Sequence, residues 1–247
     1  MEKLKNIIKK NKALTRIVIL VKRVIVRMLM LFLRTKPVDS KKVVFINFSG
    51  SGFGDNCKAV ALKLREKLSE ADIVWATANG SEKSLPEGIR GVQYQSLAFY
   101  KEMATAGVWV NNCRMNAEII KRKGQLYIQL WHGGVPLKKI EKDTENTLEK
   151  TYIEHAKYDS TIVDIITSSS AYFTEIVRNA FWYDGEILES GIPRYDIFFN
   201  RKAHETIKEK VYGHYNIPIG NKVVLYAPTF RRNHSLEPYS IDWKTAI

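Results

Sequence analysis

Residues 130 to 140, LWHGGVPLKKI, set a histidine between a tryptophan and two glycines. A packed core has little use for a titratable ring followed by two residues without side chains. A site where a ligand approaches the backbone does. The preceding run QLYIQL reads as a strand, so His132 stands at a strand's carboxyl end, where open α/β sheets place their ligand crevice. A histidine near its own pKa takes a proton from an attacking hydroxyl there, as transfer to phosphorus or carbon requires. Gly133 and Gly134 leave backbone N–H groups open to an anion, and Lys138 and Lys139 add positive charge. A histidine hydrogen-bonded in a tight turn before an ordinary helix start fits the same spacing equally well.

Other strand ends carry related residues. ITSSSAYF offers Ser168 and Ser169 to a phosphate, or uses Ser169 or Ser170 as a helix cap. SGIPRYD supplies Gly191 for a turn and Arg194 for an anion, and YAPTFRR supplies Thr229, Arg231 and Arg232. SGSGFGDNCK follows the first strand with Gly50, Gly52 and Gly54, but the spacing is not G-x-G-x-x-G, and VWATANG brings no ribose-binding acid. Asp55 and Asn56 either cap the next helix or belong to a ligand-facing loop. Strand ends bearing small, hydroxyl or basic residues fit one anion-binding cleft better than unrelated turns.

The elements that must hold these residues follow from the chain as a whole. Its 247 residues, 45% apolar and 11% aromatic, suffice for a large core. The net charge of +13 is concentrated: residues 1 to 36 hold 11 Lys or Arg against Glu2, a net of +10, leaving +3 for the rest. A nearly balanced globular part ranks nucleic acid last among partners. Cys57 and Cys113 match no metal or disulfide spacing, which favours reduced thiols, and no acidic cluster marks a metal site. RIVILVKRVIVRMLMLFLR is interrupted by Lys22, Arg23 and Arg27, which disfavours a simple membrane span. On a helix, Lys5, Lys9, Lys12, Arg16, Arg23, Arg27 and Arg34 lie within about 40° of one line, so an amphipathic helix over 1–36 is expected to lie on an anionic membrane surface.

After Pro37, β-rich runs alternate with helical ones, the pattern of a parallel sheet between helices. Strands are expected at 42–48, 72–76, 107–111, 125–130, 163–168, 186–190 and 222–227. Helices are expected at 55–69, 96–105, 115–123, 145–158, 170–179 and 201–215. The fold class is thus α/β, with a Rossmann-like domain over 37–200, a connection over 201–221, and the beginning of a second domain over 222–247.

Taken in order, YIQLWHGGVPLKKIEKD, VDIITSSSAYF, ILESGIPRYDIFF and VLYAPTFR resemble the CDP-glycerol glycerophosphotransferases of teichoic acid synthesis. GFGDNCK resembles that family's earlier loop, with Cys57 where proline is usual, and WHGGVPLKK departs from the commoner W-H-G-T-P-L-K. The resemblance implies a two-domain glycosyltransferase B-type fold and a membrane-associating N-terminal helix. It also implies transfer of glycerol phosphate from CDP-glycerol to a lipid-linked acceptor at the cytoplasmic face of the bacterial plasma membrane, with release of CMP. It makes His132 the base that deprotonates the acceptor, Gly133 its backbone neighbour, and Thr229 and Arg231 residues of the inter-domain cleft. It further implies a donor domain that this sequence stops just inside, so weak or no turnover is expected of these residues alone. A same-fold glycosyltransferase using a nucleotide sugar, or a non-catalytic acceptor-binding chain, are the competing expectations.

Overall fold

The computed structural model describes residues 12–78, 84–227 and 242, the side chains of 12 and 13 excepted. The chain divides into two compact units, Met1–Ile197 and Phe198–Ile247.

The first unit is built on a seven-stranded sheet: β1 (Asp39–Ile46), β2 (Asp72–Thr77), β3 (Ile89–Gln93), β4 (Ala106–Asn111), β5 (Leu126–Gln129), β6 (Ile165–Ser168) and β7 (Glu186–Glu189). Its spatial order is β3-β2-β1-β4-β5-β6-β7, and every pairing is parallel. Chain order reverses between β1 and β4, which makes their carboxyl ends the switch point where such sheets bind ligands. Register sets Ile46 beside Asn111, and Asn111 beside Gln129, so three strands end level there.

The helices are α1 (Lys12–Leu33), α2 (Asp55–Lys67), α3 (Leu97–Thr105), α4 (Lys150–Ile162) and α5 (Ala171–Ala180). A short 3-10 segment, Glu141–Thr147, precedes α4. Two cores flank the sheet. One packs Val43, Phe45, Ile73, Trp75 and Val110 against Cys57 and Ala61 of α2. The other sets Val44, Ile46, Val74 and Trp109 against α1, α3 and α5 through Met30, Met103 and Phe173. Parallel strands need cover on both faces, which is why their Val, Ile and aromatic runs are nearly continuous.

α1 lies on this second core, and several of its charges bond to the domain. Val26, Met30 and Leu33 are buried. Arg27 donates to Ala117 O at 2.8 Å and Arg34 to Lys121 O at 2.9 Å, while Lys22 pairs with Glu118 and Arg23 with Glu154. The stripe expected to lie on a membrane therefore meets the domain at Arg23, Arg27 and Arg34. Ile17, Val21, Val24, Ile25, Met28 and Phe32 point outward instead, Phe32 at 72% exposure. Lys5 and Lys9 lie outside the described residues. Among the described residues no helix is long and apolar enough to cross a membrane.

Three expectations change. Residues 115–123 form an irregular segment rather than a helix: the carbonyls of Ala117, Ile119 and Lys121 accept from Arg27, Tyr158 and Arg34 side chains. Edge strand β3 was not anticipated, because Gly91 and its exposed Arg90 and Gln93 break the apolar pattern. In the second unit α6 (His204–His214) is present, but 222–227 is not a strand. Its apolar pattern finds no pairing chain among the described residues, and a strand's backbone groups need one. Tyr212 instead donates to Asn221 O at 2.9 Å. Thr229, Arg231 and Arg232 lie outside the described residues.

The orientation of α1 predicts a sharp contrast. Met30→Ala should lower unfolding free energy by about 2–4 kcal/mol in urea titrations, whereas Phe32→Ala should change it by less than about 0.5 kcal/mol.

Candidate functional site

The switch point is walled by side chains that begin where the strands end. Asn47 and Asn112, each the residue after its strand, are 2% and 0% exposed. Their amides bond to each other at 2.8 Å. Asn112 Oδ1 accepts from Phe48 N, and Asn47 Nδ2 donates to Ser51 O and Gly52 O. Buried amides must be satisfied, and these are satisfied by fixing the loop over 47–55. That loop needs fixing: Phe48, Ser49 and Asp55 adopt left-handed φ of 41°, 56° and 57°. Such strain persists only where surrounding bonds over-determine it.

His132 enters from the adjacent strand end. Trp131, also left-handed at φ 52°, turns the chain out of β5, and the half-buried imidazole rests between the Trp131 and Phe48 rings at 4.5 and 5.3 Å. Its Nδ1 lies 2.8 Å from Asn112 O. A carbonyl only accepts, so in the neutral ring the proton sits on Nδ1 and Nε2 carries the lone pair. Cys113 Sγ is 3.9 Å from the same nitrogen. Burial, with Asp55 and Asp159 nearby, pushes the Cys113 thiol up to about 12, so it stays protonated at neutral pH.

Several residues singled out in the sequence converge here. Asp55 Oδ1 accepts from Asn112, and Oδ2 accepts from Arg194 Nη1 at 2.9 Å. Arg194 also donates to His132 O at 2.9 Å. Asn56 donates to Trp131 O at 3.1 Å and accepts from Arg194 N. The N-cap position of α2 is Gly54, which makes no side-chain cap, while Asp55 Oδ1 accepts from Asn56 N in the helix's first turn at 2.7 Å. Asp55, Asn56 and Arg194 thus brace the His132 backbone. Close by, Ser169 donates to Gly134 O at 2.7 Å, and a Cβ on Gly134 would lie 2.4 Å from Ile192 Cδ1. Gly191, at φ 79°, donates to Ser168 O.

The remaining candidates stand differently. Ser168 is buried and spends its hydroxyl on Ser170 O, while Ser170 is the cap of α5. Gly133 is exposed, and Lys138 is exposed in an irregular segment where a helix start was one reading. Asn47, Phe48, Asn112, Arg114 and Gln129 escaped notice in the sequence. The signal for the asparagines was present in FINF and WVNNC, a polar residue directly after a buried strand. Among the described residues no group of three or more His, Cys, Asp or Glu is placed to hold a metal.

The model of the family "CDP-Glycerol:Poly(glycerophosphate) glycerophosphotransferase" matches residues 28–246. The chain belongs to this family. Among its glycerophosphotransferase relatives, a teichoic acid poly(glycerol phosphate) polymerase of Staphylococcus epidermidis is 32% identical over 200 residues, covering 78% of this chain and 28% of that protein. A teichoic acid glycerol-phosphate transferase of Staphylococcus aureus is 30% identical over 218 residues, covering 85% of this chain and 56% of that one. The solved wall teichoic acid polymerase TagF superposes with a TM-score of 0.72 at 31% identity, over 79% of this chain and 49% of its own. A variant of it soaked with CDPG matches equally, at a TM-score of 0.72. The chain thus spans about half or less of the proteins it resembles. At this identity and TM-score the α/β fold of the chain is that of the wall teichoic acid polymerase.

Removing the amide that supports the loop should loosen it selectively. Asn112→Ala should speed deuterium uptake over 47–55 by about tenfold or more, with uptake in β2 and β3 unchanged.

Proposed function

We propose that this glycerophosphotransferase chain activates an acceptor hydroxyl for attack on the β-phosphorus of CDP-glycerol. The carrying observation is the Nδ1 to Asn112 O bond, which leaves Nε2 of His132 as the base. In the reaction, Nε2 takes the hydroxyl proton as the acceptor oxygen forms its bond to the β-phosphorus. The bond from that phosphorus to the bridging oxygen breaks, and CMP departs with the electron pair. Orientation and charge stabilisation supply most of the acceleration in such transfers. The family match and the CDPG-soaked neighbour support the donor, and the teichoic acid relatives support a glycerol-phosphate acceptor.

The acceptor in this reading is a lipid-linked polymer unit, and the protein sits peripherally at the cytoplasmic face of the membrane. The exposed apolar side of α1 supports lipid attachment by insertion, with residues 1 to 11 adding the positive charges of Lys3, Lys5, Lys9 and Lys10. Lys22, Arg23, Arg27 and Arg34 are already engaged with the domain.

Two experiments check this reading. Nucleotide release is measured with bacterial membranes and CDP-glycerol, CDP-ribitol or UDP-sugars, using the chain and a fusion to the C-terminal half of a relative. CMP release reduced by about 10²-fold or more in His132→Ala is expected, and UDP release or an unaffected variant contradicts it. In vesicle flotation, combined Ile25→Ser, Met28→Ser and Phe32→Ser should weaken binding at least about tenfold; unchanged flotation refutes insertion through this face.

A further inference from the structure

Behind the site lies a polar network that the transfer reaction does not touch. Its centre is Gln129, the last residue of β5 and 0% exposed. Gln129 Oε1 accepts from Trp131 N at 3.0 Å, and Nε2 donates to Cys113 O at 2.6 Å and to Tyr127 Oη at 3.0 Å. Tyr127 in turn donates to Asp159 Oδ1 at 2.7 Å, and Asp159 Oδ2 accepts from Arg114 at 3.0 Å. The Arg114 guanidinium, paired also with Glu141, sits 5.5 Å from the centre of the Trp131 ring.

Gln129 bonds to two backbones that matter together. Trp131 precedes the histidine, and Cys113 follows Asn112, whose carbonyl accepts from the imidazole. One buried amide thus clamps the donor side and the acceptor side of the bond that fixes the ring's tautomer. Trp131 is left-handed, so its N–H direction is one that an ordinary extended residue would not present. We infer that Gln129 is a positioning residue for His132, holding the imidazole in the Nδ1–H form with Nε2 free. The inference rests on reading His132 as the base, but the ring's tautomer is observable whether or not transfer occurs.

A matched control stands one residue before the same strand. Gln125, just before β5, is 7% exposed, accepts from Arg122 N, and donates to Met103 O at 2.8 Å and Ala106 O at 2.7 Å. It satisfies as many bonds as Gln129 and touches neither end of the His132 bond. The test is ¹⁵N NMR of histidine-labelled 247-residue chain, with His132→Ala assigning the resonance. In Gln129→Leu the ratio of Nδ1–H to Nε2–H imidazole should fall about fivefold or more, while Gln125→Leu should leave it unchanged. Gln129→Glu keeps the acceptor for Trp131 N and loses both donors, so an intermediate ratio is expected, and it decides the matter if the leucine variant fails to fold. An unaltered ratio in the folded Gln129 variants, or an equal fall in Gln125→Leu, overturns the inference. An Nδ1–H ring in the wild-type chain together with no CMP release from the chain fused to a relative's C-terminal half would count against the transfer reading and leave the clamp standing.

Discussion

A buried amide that lacks partners costs on the order of 1–3 kcal/mol, and this constraint organises the carboxyl end of the sheet. Gln129 ends β5, and Asn47 and Asn112 stand one residue beyond the level ends of the two neighbouring strands, where backbone pairing runs out. Each meets its requirement by bonding to irregular chain. Asn47 and Asn112 hold a loop whose dihedrals are otherwise unfavourable, and Gln129 holds the left-handed turn that presents His132. Asp55, Asn56 and Arg194 complete the frame from the opposite side. The histidine's proton arrangement is thereby a consequence of how the strand ends are satisfied.

The same accounting explains α1. Its arginines and lysines satisfy carbonyls and carboxylates of the irregular 115–123 segment and of α4. Those carbonyls consequently form no helix, and the apolar side of α1 is left facing outward. An amphipathic pattern states which faces differ; only the partner segment decides which face turns inward.

Much of this was readable in the chain. Six of the expected strands coincide with β1, β2, β4, β5, β6 and β7, because doubly covered parallel strands carry dense apolar runs. His132, Asp55, Asn56 and Arg194 were singled out by residue type at strand ends, and the structure gathers them. Their side-chain bonds were not foreseeable, since Arg194 and Asp55 are separated by 139 positions. Gln129 and Asn112 were hidden for another reason: a polar residue inside or just after an apolar run looks like an interruption, and only the paired register shows that its bonds are met. The run at 222–227 illustrates the converse, a strand-like pattern without a partner chain among the described residues.

The central claim is that an acceptor hydroxyl meets Nε2 of His132 at the end of β5. The most direct measurement is a crystal structure of the protein with a soluble acceptor analogue ending in glycerol phosphate. The account predicts its terminal hydroxyl within about 2.6–3.2 Å of Nε2, with Nδ1 still bonded to Asn112 O. A hydroxyl bound away from His132, or an imidazole flipped so that Nε2 faces Asn112, would contradict it.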